Sequence, residues 1–189
     1  SNNDNYETYT TEVVIVVAPK SVTIKVLQDT YTYNGEDQTL SVVVLDGETE
    51  LDIEVLGNVV ANNVSETNTN LSIKENNYVA EVVAATLTIE QAESVITNLF
   101  TTNSSDYTGE EIDLTSYFSL NHDEAELEFS VNASAVTSIK DAGVYTIVVS
   151  VAETQNYTAD EVEVTYTINK ISPELTYTSP TEGYTYDST

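Results

Sequence analysis

NYTADEVEVTYTINK, residues 156–170, decides the fold. Within it Val162, Val164, Tyr166 and Ile168 alternate with Glu161, Glu163, Thr165 and Thr167. A period of two is the pattern of a strand with one wet face and one buried face. Just upstream, VYTIVVSV repeats the pattern with Tyr145, Ile147, Val149 and Val151 on one face. Working outward, the apolar 40% of the chain is mostly Val, Ile, Leu and Ala, and 13 Tyr far outnumber 3 Phe. These residues suit a pleated, half-buried surface. The one stretch with helical character, TIEQAESVITNLF at residues 88–100, reads as the end of one strand followed by the next. The chain is therefore expected to be all-β.

The same stretch recurs. NYETYTTEVVIVV at Asn5 and NYVAEVVAATLTI at Asn77 match NYTADEVEVTYTI at Asn156, each with an aliphatic residue (Val17, Ile89, Ile168) eleven places after its Tyr. A second marker runs in parallel: YNG at Tyr33, YTG at Tyr107 and YDS at Tyr186. From these anchors two copies align without a gap, Gly35 with Gly109, Leu40 with Leu114, and Glu50, Asp52 and Glu54 with Glu124, Glu126 and Glu128. Two markers with one period define repeated modules. Residues 1–20 read as the closing strand of a preceding module, 21–92 and 93–170 as complete β-modules, and 171–189 as the opening strand of a following one. Lys20 and Lys170 are expected to end equivalent strands, and Pro19, Pro173 and Pro180 sit at or just past the joints, where proline interrupts no ladder. Modules of this size, with no flexible Gly/Ser tract between them, gain from stacking on neighbours.

Charge narrows the function. Five lysines against 32 acids give a net charge of −27, which repels nucleic acid and anionic membrane surfaces. No apolar run reaches the length of a membrane span, so no membrane insertion is expected in this segment. Without cysteine there is no disulfide, thiolate metal site or thiol nucleophile, and a single histidine leaves no histidine cluster. An enzyme is not expected.

The order YTG at Tyr107, AGVYT from Ala142, NYT at Asn156 and TINK ending at Lys170 resembles bacterial cell-surface repeats, the Ig-like and MBG/YDG-type modules of large adhesins. The resemblance covers the second module. In the first, SETNTNLSI stands where AGVYT is expected, and Ser188 replaces the turn glycine of the last copy. It implies tandem Ig-like β-sandwich modules outside the cell, used as a stalk and carrying no catalytic residues. A β-grasp-like module with one short helix is the alternative fold.

Several constellations carry candidate chemistry. Glu48, Glu50, Asp52 and Glu54 share one strand face opposite Leu51, Ile53 and Val55, and Glu124, Glu126 and Glu128 repeat this opposite Leu127 and Phe129. Same-face carboxylates on a strand lie about 6.5–7 Å apart, too far to share an ion, so these ladders read as solvated surface. Better calcium candidates are the acids after each turn glycine, Glu36 and Asp37, Glu110 and Glu111, with Asp113 nearby, because hard oxygen donors suit Ca²⁺. Tyr33–Gly35 and Tyr107–Gly109 read as structural turns, with glycine supplying a positive φ and tyrosine covering the core edge. The asparagine of each Asn-Tyr pair is expected to bond its own loop. Asn63, Asn70, Asn103, Asn132 and Asn156 each begin a glycosylation triplet, about the number chance gives in a Ser/Thr-rich chain. His122 aligns with Glu48 and is expected to be solvent-exposed. A lysine–asparagine isopeptide crosslink requires a buried lysine, and no lysine lies on an apolar face.

The expectation is an extracellular structural repeat region of a cell-surface adhesin-like protein, with neighbouring modules or identical subunits as partners and no cofactor besides the candidate calcium. The alternative is a self-assembling filament, sheath or S-layer subunit that pairs strands between chains.

Overall fold

The computed structural model of the chain describes residues 7, 9–178, 183 and 187, so Asn5, Tyr6, Thr8, Pro180, Tyr186 and Ser188 lie outside the described residues. The protein is all-β and divides into two compact units between Ala92 and Glu93. Unit 1 holds β1 (Lys20–Ser21), β2 (Thr23–Gln28), β3 (Thr30–Thr32), β4 (Gln38–Thr39), β5 (Ser41–Asp46), β6 (Thr49–Leu51), β7 (Val55–Leu56), β8 (Val60–Ala61), β9 (Ser65–Ile73), β10 (Tyr78–Val79) and β11 (Val83–Glu90). Unit 2 holds β12 (Ile96–Asn98), β13 (Ser104–Asp106), β14 (Ile112–Asp113), β15 (Phe118–Leu120), β16 (Glu128–Val131), β17 (Ser138–Ile139), β18 (Gly143–Val151) and β19 (Asp160–Asn169). The only helical element among the described residues is one 3₁₀ turn, Leu114–Tyr117. The helix of a β-grasp module has no counterpart there, and no helix is long and apolar enough to cross a membrane.

Both units are built on one plan. The larger sheet runs β3-β11-β9-β7 in unit 1 and β13-β19-β18-β16 in unit 2. In each, a short early strand lies parallel to the long final strand: Tyr31 is opposite Ile89, and Ser105 is opposite Ile168. Facing these sheets are β2-β5-β6 in unit 1 and β12-β15 in unit 2. The long strands alternate as the sequence requires. In β19, Val164, Tyr166 and Ile168 are buried while Glu161, Glu163 and Thr165 are exposed. In unit 1 Ile24 from one sheet meets Leu71 and Leu87 from the other, with Leu40 between them. Burying each such side chain contributes about 1.5–3 kcal/mol. Unit 2 has the larger core, in which Ile96, Leu114 and Phe118 pack against Ile147, Val149, Val164, Tyr166 and Ile168.

SETNTNLSI is a complete strand, β9, pairing with β11 from Val83 opposite Leu71 to Ile89 opposite Ser65. Glu66, Asn68 and Asn70 are exposed on one face, while Ser65, Thr67 and Thr69 lie half-buried on the face of Leu71, so the missing AGVYT costs no strand. Residues 88–100 also contain no helix: β11 ends at Glu90 and β12 begins at Ile96.

Residues 9–19 join no ladder of either unit, and Val13–Val17 are 79–85% exposed. A strand's backbone groups are satisfied only by a neighbour, and no strand of either unit pairs with this stretch. Lys20 opens β1 instead of ending a strand; its backbone N–H bonds Asn77 O at 2.8 Å. The aligned pairs Leu40 and Leu114, and Val44 and Phe118, are all buried. The local structure around them differs: Leu114–Tyr117 is a 3₁₀ turn, whereas Ser41–Asp46 is strand.

Candidate functional site

The densest side-chain network lies in unit 2, where the segment entering β12 meets the Asn-Tyr loop before β19. Ser94, 6% exposed, donates its hydroxyl to Thr158 O. Its oxygen lies 2.9 Å from His122 Nε2. The Ser94 proton is already committed, so His122 Nε2 is the donor. The other ring nitrogen agrees, because Nδ1 accepts the Glu124 N–H at 3.2 Å. The partners thus assign the Nε2–H tautomer. The ring stacks on Tyr157, with centroids 3.8 Å apart and planes 12° from parallel. Beside it, Glu124 accepts from Thr154 Oγ1 at 2.9 Å and from Asn156 Nδ2 at 3.0 Å. Asp160 accepts the Ile96 N–H at 3.0 Å, and Asn121 accepts from Val95 N–H at 2.8 Å while donating to Glu93 O at 3.0 Å.

His122 was expected to be free in solvent, Glu124 to be one more wet carboxylate, and Asn156 to serve its own loop. Glu124 is exposed, as expected, but His122 is half-buried, and the Asn156 amide, itself 6% exposed, reaches across to Glu124. The contacts join segments 28 to 64 residues apart in sequence, so no local pattern announces them. Unit 1 solves the same problem with backbone alone: Val22 N–H bonds Val79 O at 2.9 Å. By the repeat spacing Val79 and Thr158 are equivalent, so one carbonyl latches the incoming segment in both units.

The Ser–His contact has the wrong polarity for nucleophilic catalysis. A general base must accept the hydroxyl proton, and here the imidazole donates while the hydroxyl points at a carbonyl. Nδ1 faces a backbone amide, and no carboxylate orients the ring through that nitrogen.

The turn acids are dispersed. Asp113 caps the 3₁₀ turn, accepting from Thr115 N at 3.0 Å and Thr115 Oγ1 at 2.8 Å. Glu36 and Asp37 sit in the exposed turn of unit 1. Glu110 lines a 210 Å³ cleft with Asp106, Tyr117, Lys140 and Tyr166, and neither Glu111 nor Asp113 lines it. Among the described residues no three of His, Cys, Asp and Glu converge as metal ligands. Lys140 in the same cleft already supplies a cation. Gly35 and Gly109 have φ of +80° and +81°, and each lies beneath the hydroxyl of its Tyr33 or Tyr107.

Asn63, Asn70, Asn103 and Asn132 are exposed, whereas Asn156 Nδ2, the atom a glycan would take, is held against Glu124. All five lysines are exposed, so none meets the burial an isopeptide crosslink needs. Lys20 bonds Asp46, which raises its pKa above the ordinary lysine value. The acid ladders keep their alternation: Glu50, Asp52 and Glu54 are exposed, with Leu51, Ile53 and Val55 half-buried. No family model and no curated protein matches this chain.

Proposed function

We propose that the chain is a pair of tandem Ig-like β-modules from the extracellular, non-catalytic stalk of a cell-surface adhesin-like protein, a spacer that transmits tension. The observation that carries this reading is the parallel pairing of an early strand with the final strand in each unit, β3 with β11 and β13 with β19. Tension entering at one and leaving at the other slides the two strands past each other. The ladder bonds are then loaded together instead of opening one at a time. Backbone bonds close both ends of each pair: Thr88 N–H to Asp29 O and Tyr33 N–H to Glu90 O in unit 1, Thr167 N–H to Asn103 O and Tyr107 N–H to Asn169 O in unit 2.

Two features support the Ig-like arrangement. The chain pairs β2 with β5 in one sheet, then crosses at Asp29 to pair β3 with β11 in the other. Near the start of β18, the Tyr145 hydroxyl donates to Asp141 O at 2.5 Å, like the tyrosine corner of immunoglobulin-type sandwiches. The resemblance to bacterial surface repeats and the strongly acidic surface support the extracellular placement. The polarity of the Ser94–His122 contact supports the non-catalytic reading.

Force spectroscopy on the full chain tests this. The expected trace shows two separate unfolding events at high force, one per unit. Gradual opening at low force, strand by strand, would reject the load-bearing role. The second reading, a self-assembling subunit, draws on Val13–Val17, five apolar residues exposed without a ladder. Sedimentation that stays monomeric as concentration rises would set it aside.

A further inference from the structure

We propose that Asn34 is a covalent modification site, where its amide converts to an acid through a cyclic imide, and that the equivalent turn of unit 2 is protected. Asn34–Gly35 is the only Asn-Gly pair in the chain. Both residues are exposed, in the turn that follows β3. Gly35 has no Cβ to shield its nitrogen, and the turn needs that glycine because φ is +80°. Asn34 Oδ1 accepts the Glu36 N–H at 2.9 Å.

The step needs only water. The Gly35 backbone nitrogen gives up its proton to solvent base and bonds to Asn34 Cγ. The Cγ–Nδ2 bond then breaks, and the amide nitrogen leaves with an added proton as ammonia. Water opens the resulting five-membered imide at either carbonyl, giving aspartate or isoaspartate. During attack, negative charge builds on Oδ1, the atom at which the Glu36 N–H is already aimed. Pre-placed backbone donors stabilise such an oxyanion.

Unit 2 is an internal control. There Thr108 takes the place of Asn34, and its Oγ1 accepts the Glu110 N–H at 3.3 Å. A hydroxyl holds the same turn but offers no carbonyl carbon to attack. Elsewhere, the nitrogen following Asn103 belongs to Ser104, the first residue of β13. Conversion at Asn34 adds a carboxylate beside Glu36 and Asp37. The isoaspartate form also lengthens the backbone of the turn by one methylene.

The experiment incubates the full chain in warm, mildly alkaline buffer, then maps peptides by mass and labels isoaspartate with an isoaspartyl methyltransferase. Asn34 should convert about tenfold faster than Asn103, a barrier difference of one decade in rate. Asn34→Thr, which installs the side chain unit 2 already uses, should abolish labelling of the peptide that carries residue 34 while leaving the melting curve unchanged; Asp46–Gly47, which can form the same imide by losing water, is scored on its own peptide. An Asn34 that stays an amide, conversion of another asparagine ahead of it, or labelling of the residue-34 peptide that persists in the Asn34→Thr variant would overturn the proposal.

Discussion

Phe118 meets Phe129 edge to face, with ring centroids 5.9 Å apart, and so fills the space between β15 and β16 in unit 2. Unit 1 contains no phenylalanine. Between its corresponding strands, β5 and β7, lies a 440 Å³ cleft lined by Val42, Val44, Leu51, Ile53 and Val55. The cleft is open to solvent, with the exposed Glu50 and Asp52 also on its lining; unit 1 has the smaller buried cluster, so it should be the weaker of the two. Val55→Phe should fill part of this cleft and raise the lower melting transition by about 1 kcal/mol. Phe118→Ala should lower the upper one by about 3–5 kcal/mol. Calorimetry on the full chain reads both, and a single transition unmoved by either change would refute the ranking.

Gly57 is the glycine that unit 1 cannot replace. Its φ is +83°, and an added Cβ would stand 2.3 Å from Asn70 O on β9. Both the left-handed backbone and the contact oppose alanine. Gly57→Ala should cost about 1–3 kcal/mol from backbone strain alone, with more from displacing β9. Gly47, which also has a positive φ but open space around it, should tolerate alanine better. Equal losses at the two sites in chemical denaturation would show that the contact with Asn70 carries no weight.

Removing the Asn156 side chain leaves Glu124 Oε1 without the amide donor described. Asn156→Ala should destabilise unit 2 by about 0.5–1.5 kcal/mol, the usual net worth of one hydrogen bond, because Glu124 is exposed and water can replace the lost donor. Because Glu124 and His122 share this corner, Asn156→Ala combined with His122→Ala should cost less than the sum of the single changes. Strict additivity in the double-mutant cycle would show two independent contacts.

Tyr145→Phe keeps the ring over Gly143 and removes only the bond to Asp141 O. A loss of about 1 kcal/mol is expected. By the strand registers the equivalent of Tyr145 in unit 1 is Thr67, since Leu87 faces Thr67 where Tyr166 faces Tyr145. Truncating Thr67 to Ala should therefore be nearly silent. Similar costs at both positions in urea titrations would remove the corner from the account of unit 2.

Chelating calcium should leave the melting temperature unchanged, because Asp113 is committed to Thr115 and Glu110 shares its cleft with Lys140. A drop on chelation, reproduced by Glu110→Gln with Glu111→Gln, would instead establish the turn acids as ligands.

The sequence by itself determined the all-β class of the fold. Period-two alternation in residues 143–151 and 160–169 depends only on which face of a strand meets water, so it is legible residue by residue. The turn glycines were legible for a similar local reason: the positive φ at Gly35 and Gly109 is a property of the turn itself. Tertiary structure alone decided the rest. Alternation gives a strand two faces but names no neighbour, so the parallel pairing of Ser105 with Ile168 could not be read from either strand. The 3₁₀ turn at Leu114–Tyr117 has no counterpart in unit 1, where Ser41–Asp46 is strand, so the alignment of the copies did not announce it. His122 looked like one more residue of a wet acidic run because its partners Ser94 and Tyr157 are set by how distant loops meet. A local pattern records contact with water, whereas a hydrogen-bond network depends on which distant proton arrives beside which lone pair.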